Sequence, residues 1–326
     1  MSVAKQVLLY GLEAQVEPSY KGAVTFVPAT DAVLLAEPAV MTIDYLTDGT
    51  HSPANATASQ LTRNPPAGRF AELPIRLEFR GRNAAYDGTT GIPQDIHALM
   101  RGSGHSAVFS ATPTPQYTYA PESDTYESLG LRAFARAQQY DMKGVYCDMG
   151  FSIDGPEECV FEFNAQGLIT LPTDVALPAL TYATHKPPLG RNIALTVNAV
   201  TTLITRSIRF AQNRQRVGRA NINESVAGDA HAGYAPGRRG PTLDITVEST
   251  ALATFNPYSL RDLATSFALE FTIGSVQYNR FKFSAPAAQI ISVSDDADDP
   301  VALWTISLAL GTPGQTTNDE YSFLVN

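Results

Sequence analysis

Ser103 and His105 stand two residues apart in MRGSGHS, residues 100–106, the nearest approach in the sequence to a nucleophile beside a base. A hydrolytic triad is assembled in space from distant positions, so sequence neighbours alone do not make one. Gly-Ser-Gly after a helix is instead the chemistry of a C-cap and turn. A second candidate is DDADDP, residues 295–300, where Asp295, Asp296, Asp298 and Asp299 gather carboxylate oxygens that calcium would accept. The Gly and distal Glu of an EF-hand loop are missing, and a solvated hairpin turn explains the same residues. Glu157 and Glu158 are adjacent carboxylates, but successive residues of an extended turn point apart. His97, between Ile96 and Ala98, is expected on the surface of a short amphipathic helix. The chain has no phosphate-binding loop, dinucleotide fingerprint, H-E-x-x-H or nucleophile elbow. The residues predict no enzyme, no bound metal and no cofactor.

Composition points the same way. At 326 residues, 44% hydrophobic and 17% charged, the chain is globular and long enough for two domains of roughly 150 residues each. It carries 32 acidic against 23 basic residues, net −9, where a protein that grips nucleic acid presents a basic face. One early lysine and a short apolar run from Val7 to Leu12 make a weak signal peptide, and no later run approaches the ~20 apolar residues of a membrane span. A cytoplasmic protein without membrane contact is expected. Cys147 and Cys159 share a parity on opposite arms of one hairpin, which predicts two apolar thiols close together on its buried face rather than a zinc site.

The elements that would position these residues are mainly strands. In GVYCDMGFSIDGPEECVFEFNAQGLITLP, residues 144–172, apolar side chains fall on every second position on both sides of Asp154-Gly155-Pro156. That is an antiparallel hairpin with one buried face. LPIRLEFRGRN (73–83) and PTLDITVEST (241–250) alternate in the same way. Each is preceded by a strand and a long polar loop and followed by a short helix, expected at ~93–102 and ~257–267. Asn256 and Pro257 open the second helix as N-cap and first position, and Leu260, Leu263, Ala264 and Phe267 form its apolar stripe. The order strand, long loop, strand, helix, strand, hairpin therefore occurs twice. THKPPLGRN (184–192) punctuates the chain between the copies, giving domains at 1–187 and 188–326, each a β-sandwich with one short helix.

The open faces of these strands carry Glu78, Asp148, Glu162, Asp244, Glu248 and Glu270, opposite apolar neighbours. The second long loop is basic in an acidic protein, with Arg214, Arg216, Arg219, Arg238 and Arg239. It reads either as a solvated loop or as an arm that orders against an acidic neighbouring copy.

The run KGVYCDMGFSIDGPEECVFEFNAQGLITLPTDVALP (143–178), with TSFALEFTIG, YNRFKFSAPAAQI and IPQDIHALMRGSGHSAVF, resembles the major tail tube proteins of long-tailed bacteriophages. The resemblance covers most of the chain as pattern. It implies two tandem tail-tube-type β-sandwich domains in a structural protein of the virion tail, assembled in the host cytoplasm. Stacked rings would form the conduit for DNA ejection. Six tube domains per ring would come from three chains, or from six if only one domain of each lined the pore. The implied partners are further copies, the tape-measure, tail terminator and tail-tip proteins, and DNA that passes the lumen without specific binding. On that reading the six acids are candidates for the lumen and the five arginines for contacts between rings. Another ring or adaptor protein of the tail or head–tail junction, or a two-domain binding module, is the alternative.

Overall fold

The computed structural model describes residues 9–47, 66–82, 84–89, 91–135, 137–155, 159–190, 193, 195–221, 231–298, 300–313 and 318–326. Up to residue 190 the elements are β1 (Leu9–Val16), β2 (Thr42–Thr47), β3 (Pro66–Glu78), α1 (Gln94–Gly102), β4 (His105–Ser110), β5 (Gln116–Pro121), β6 (Leu129–Ala135), β7 (Gln138–Asp154), β8 (Val160–Ile169) and β9 (Thr173–Asp174). Beyond it come β10 (Thr196–Val197), β11 (Thr205–Ala211), β12 (Arg216–Ala220), β13 (His231–Pro236), β14 (Thr242–Glu248), α2 (Pro257–Asp262), β15 (Ser266–Ile273), β16 (Phe281–Asp298), β17 (Val301–Gly311) and β18 (Ser322–Val325). The protein is mainly β, and every strand pairing described is antiparallel.

One sheet runs in the order β2-β3-β8-β7-β11-β14-β17-β16-β18-β5-β4. Its alternating residues explain why it forms. Leu73, Ile75 and Leu77 of β3, Phe161 and Phe163 of β8, Met149, Phe151 and Ile153 of β7, and Leu243, Ile245 and Val247 of β14 are all buried on one face. The long strand β16 carries the sheet back over itself. Its last part pairs with β17, its first part with β15 and β18, and the register shifts between Ile290 and Ser292. A bulge of this kind turns a strand out of the plane of its partners.

The folded-back layer brings aromatic rings from distant segments onto Phe151, which is 2% exposed. Phe151 stacks on Phe210 of β11 with ring centroids 5.3 Å apart. It meets Phe271, Phe281, Phe283 and Phe323 from β15, β16 and β18 at 5.7–6.1 Å. The buried core is one cluster that takes residues from both sides of residue 187.

Two expectations about local structure need correction. Cys147 and Cys159 are both buried and free, but Cys147 lies opposite Ala165 while Cys159 precedes the first residue of β8. They share a face and are separated by about six residues of strand, roughly 20 Å. The second helix stops at Asp262 rather than near 267, because Ala264 adopts φ +49° and Thr265 N–H returns to the Leu260 carbonyl. Leu263 is thereby 74% exposed and Phe267 belongs to β15.

A shared core makes a definite prediction. Truncating a buried phenylalanine removes about 3–5 kcal/mol. Phe151→Ala is expected to shift the denaturant unfolding transition seen by Trp304 fluorescence as far as the one seen by far-UV circular dichroism. Trp304 is the only tryptophan and lies in β17, so an unmoved fluorescence transition would mean separate cores.

Candidate functional site: the open sheet face and its covering hairpin

The register of the sheet places five of the six candidate acids on one face. Glu78, Asp148, Glu162, Asp244 and Glu248 sit at the even positions of β3, β7, β8 and β14, outward from the aromatic core. Glu270, on β15, belongs to the other layer. The face is laced with arginines rather than uniformly negative. Arg80 holds Glu78 at 2.6 Å, Arg76 holds Glu162 at 2.9 Å, and Arg206 holds Glu248 at 2.5 Å. Arg209 reaches Asp154 at 3.4 Å and stands directly across the strand pair from Asp244. On the other layer Lys282 pairs with Glu270 at 2.7 Å. Such half-exposed pairs add little stability each, but they lower the negative potential of the surface.

Asp148 has a different task. Burial raises its pKa, and its Oδ1 accepts the Arg214 backbone N–H at 2.8 Å. This contact begins a lid over β7 and β8. The described parts of the basic loop, residues 212–221 and 231–240, form the hairpin β12–β13 against the same chain. Arg216 donates from Nη1 to the Asn164 carbonyl at 2.6 Å, and Tyr234 packs edge-on against Phe70. Tyr20, stacked on Tyr146, accepts the Tyr234 N–H at 2.8 Å.

Arg214 is 4% exposed. Its Nη1 donates to the Ser103 carbonyl at 3.1 Å and its Nη2 to the Glu122 carbonyl at 3.2 Å, with the Tyr126 ring 4.7 Å away. Gln212 Nε2 donates to the same Ser103 carbonyl at 2.9 Å. Ser103 caps α1, so the guanidinium rests on the negative end of that helix dipole. Arg239 binds Glu320 at 2.8 Å and the Glu122 carbonyl at 2.8 Å. Of the five arginines, Arg214, Arg216 and Arg239 are thus engaged inside their own chain, while Arg219 and Arg238 are exposed. Nothing in the local sequence signals a buried arginine. The adjoining Gly104 is a visible clue, with φ +77° and only 1.5 Å between a built Cβ and Arg214 Nη1.

Four of the positions weighed for chemistry, Ser103, His105, His97 and Asp295, make contacts within the fold. Ser103 and His105 are buried, with Ser103 Oγ donating to the Met100 carbonyl at 2.8 Å. His105 Nδ1 is 3.0 Å from both Met100 O and Ser103 Oγ, and Nε2 is 3.1 Å from the Tyr321 hydroxyl. Burial pushes the His105 pKa down to about 3, so the ring is neutral. Its contacts fit a proton on Nδ1, the reverse of what a base acting on Ser103 requires. His97 is half-buried rather than free at the surface. Its Nδ1 lies 2.9 Å from the Tyr119 hydroxyl and its ring meets Tyr117, because the β4–β5 hairpin closes over α1. Asp295 accepts the Tyr258 hydroxyl at 2.5 Å, and no group of metal-binding side chains occurs among the described residues. Asp299, Glu157 and Glu158 lie outside the described residues. An open cleft of about 680 Å³ beside α1 is lined by Asp31, Arg80, Arg82, Asp95 and His185 among others. Gln94 and Asp95 there bond backbone groups, and Thr30 Oγ1 donates to Asp31 Oδ1 at 2.9 Å. No helix among the described residues is long and apolar enough to cross a membrane.

The Gly104–Arg214 contact generates a double-mutant test. Gly104→Ala is expected to destabilise by at least about 2 kcal/mol, since it adds a positive-φ penalty to displacement of a buried guanidinium. In an Arg214→Ala background the same change is expected to cost measurably less. Additive effects would show that the contact is not what excludes a side chain at 104. No protein-family model matches the chain, and no curated protein matches it.

Proposed function

We propose that the chain is a tail tube subunit of a long-tailed bacteriophage, a structural protein that assembles into stacked rings around a DNA conduit. One observation carries this reading: the strand order β3-β8-β7 recurs as β14-β17-β16, with β6 against β7 as β15 against β16, and a helix after β3 as after β14. Two tandem sandwich-type units built alike, already sharing one sheet, are the material of a ring in which three chains supply six units. A repeated unit that extends a sheet at a free edge closes into a ring or runs on as a filament.

In such a ring the open face bearing Glu78, Glu162, Asp244 and Glu248 is the candidate wall of the lumen, with Asp148 under the covering hairpin. Its arginine-laced acids leave phosphates neither a basic groove to bind nor a uniform negative wall. Trp304, the only tryptophan, is buried against Phe255 and Tyr258. It therefore offers no exposed ring to a ligand, as a carbohydrate-type binding module would.

Electron microscopy of negatively stained purified protein tests the proposal. Rings or tubes with an open centre are the expected result. Dispersed monomers at concentrations of about 100 μM, well above those that populate specific assemblies, would contradict it.

A further inference from the structure

The repeat of elements singles out one surface that is covered in the first part of the chain and that no described residue covers in the second. In the first part, the outer edge of β7 from Gly150 to Asp154 is covered by β11. The chain leaving β11 then caps α1 through Gln212, Arg214 and Ser103. Five residues of α1 are buried. In the second part, β16 from Ile291 to Asp298 pairs with β17 on one edge only, among the described residues. Ile291 on that strand is 56% exposed, and α2 buries Pro257 alone.

The opposite end of the sheet supplies the complementary shape. Among the described residues β2 pairs only with β3, and the segment leading into it exposes Val40 at 62%. The stretch 36–42 occupies the position that β11 holds in the second part. The Ala36 N–H bonds the Arg76 carbonyl at 2.8 Å, as β11 bonds β14, and β2 with the start of β3 corresponds to the β12–β13 hairpin.

We propose that the free edge of β16 in one copy receives residues 36–47 of a second copy, continuing the sheet across the junction as β11 continues it from β7. Copies then join head to tail. Matching the buried Ile75 and Leu77 of β3 with Ile245 and Val247 of β14 sets the register. Arg76–Glu162–Gly150 across β3, β8 and β7 corresponds to Thr246–Thr305–Ser294 across β14, β17 and β16. Thr42 opposite Glu72 corresponds to Ala211 opposite Thr242. Since Ala211 pairs with Gly150, Thr42 of the incoming copy falls opposite Ser294. An unpaired edge of backbone donors and acceptors is a template for another strand. Asp295, Asp296 and Asp298 along it are charges of the kind that limit indiscriminate edge pairing. The incoming segment also covers Ile291 and the exposed end of α2.

This inference rests on the self-assembly reading for the statement that copies join, and adds where they join. A chain carrying Thr42→Cys and Ser294→Cys, both exposed positions, is assembled, oxidised mildly and run on a non-reducing gel. Cross-strand neighbours lie within disulfide reach. Covalent ladders at least about tenfold stronger than from either single variant are expected, since the interface supplies a high effective concentration. The native cysteines are buried and serve as an internal blank. The comparison variant pairs Ser294→Cys with Val108→Cys on β4, the other end of the sheet. Rings or tubes that cross-link through Val108, or not at all, would overturn the edge assignment while leaving assembly standing. Protein that stays monomeric in sedimentation would overturn both.

Discussion

The structure depends on one seam, the five-residue pairing of β11 with the end of β7. There the sheet passes from the first part of the chain to the second, and there Phe210 is laid on Phe151. An aromatic pair of this kind contributes about 0.5–1.5 kcal/mol beyond its area burial. The larger effect is organisational. With β11 fixed to β7, strands β14, β17 and β16 must follow in the same sheet, and the fold-back of β16 then brings Phe281 and Phe283 over Phe151. Burial of one ring in the first part is completed by residues more than a hundred positions later.

The seam is braced by polar contacts at its end. Asp148, Ser103 and Glu122 of the first part hold Arg214 of the second through one carboxylate and two backbone carbonyls. A buried guanidinium without a carboxylate directly on it is tolerable because helix-end and loop carbonyls point at it. Tyr20 and Arg216 fasten the hairpin that follows. The basic segment is therefore largely a clamp within the chain, and its two exposed arginines are what remains for a neighbour.

Much of this was legible in the sequence, and the misses share a cause. Parity identified the buried faces of Val145–Ile153, Cys159–Ala165, Leu73–Phe79 and Leu243–Val247, because a strand's side-chain period is a local property. The N-cap Asn256 was readable for the same reason, and its side chain accepts the Ser259 N–H. Register is not local. Parity put Cys147 and Cys159 on one face but could not show that Phe151 pairs with Phe161 and leaves the thiols far apart. The apolar stripe Leu260–Phe267 misled because one left-handed residue, Ala264, ends the helix inside it. His97 and Arg214 are covered by segments distant in sequence, so neither their burial nor their partners left a local trace.

The central claim is that the seam within a chain and the junction between chains are the same structure used twice. Image reconstruction of the assembled particle tests this most directly. The account predicts a wall with six near-equivalent units per ring, three chains, and continuous sheet at every unit boundary. Six chains per ring, or a break in the sheet at every second boundary, would contradict it.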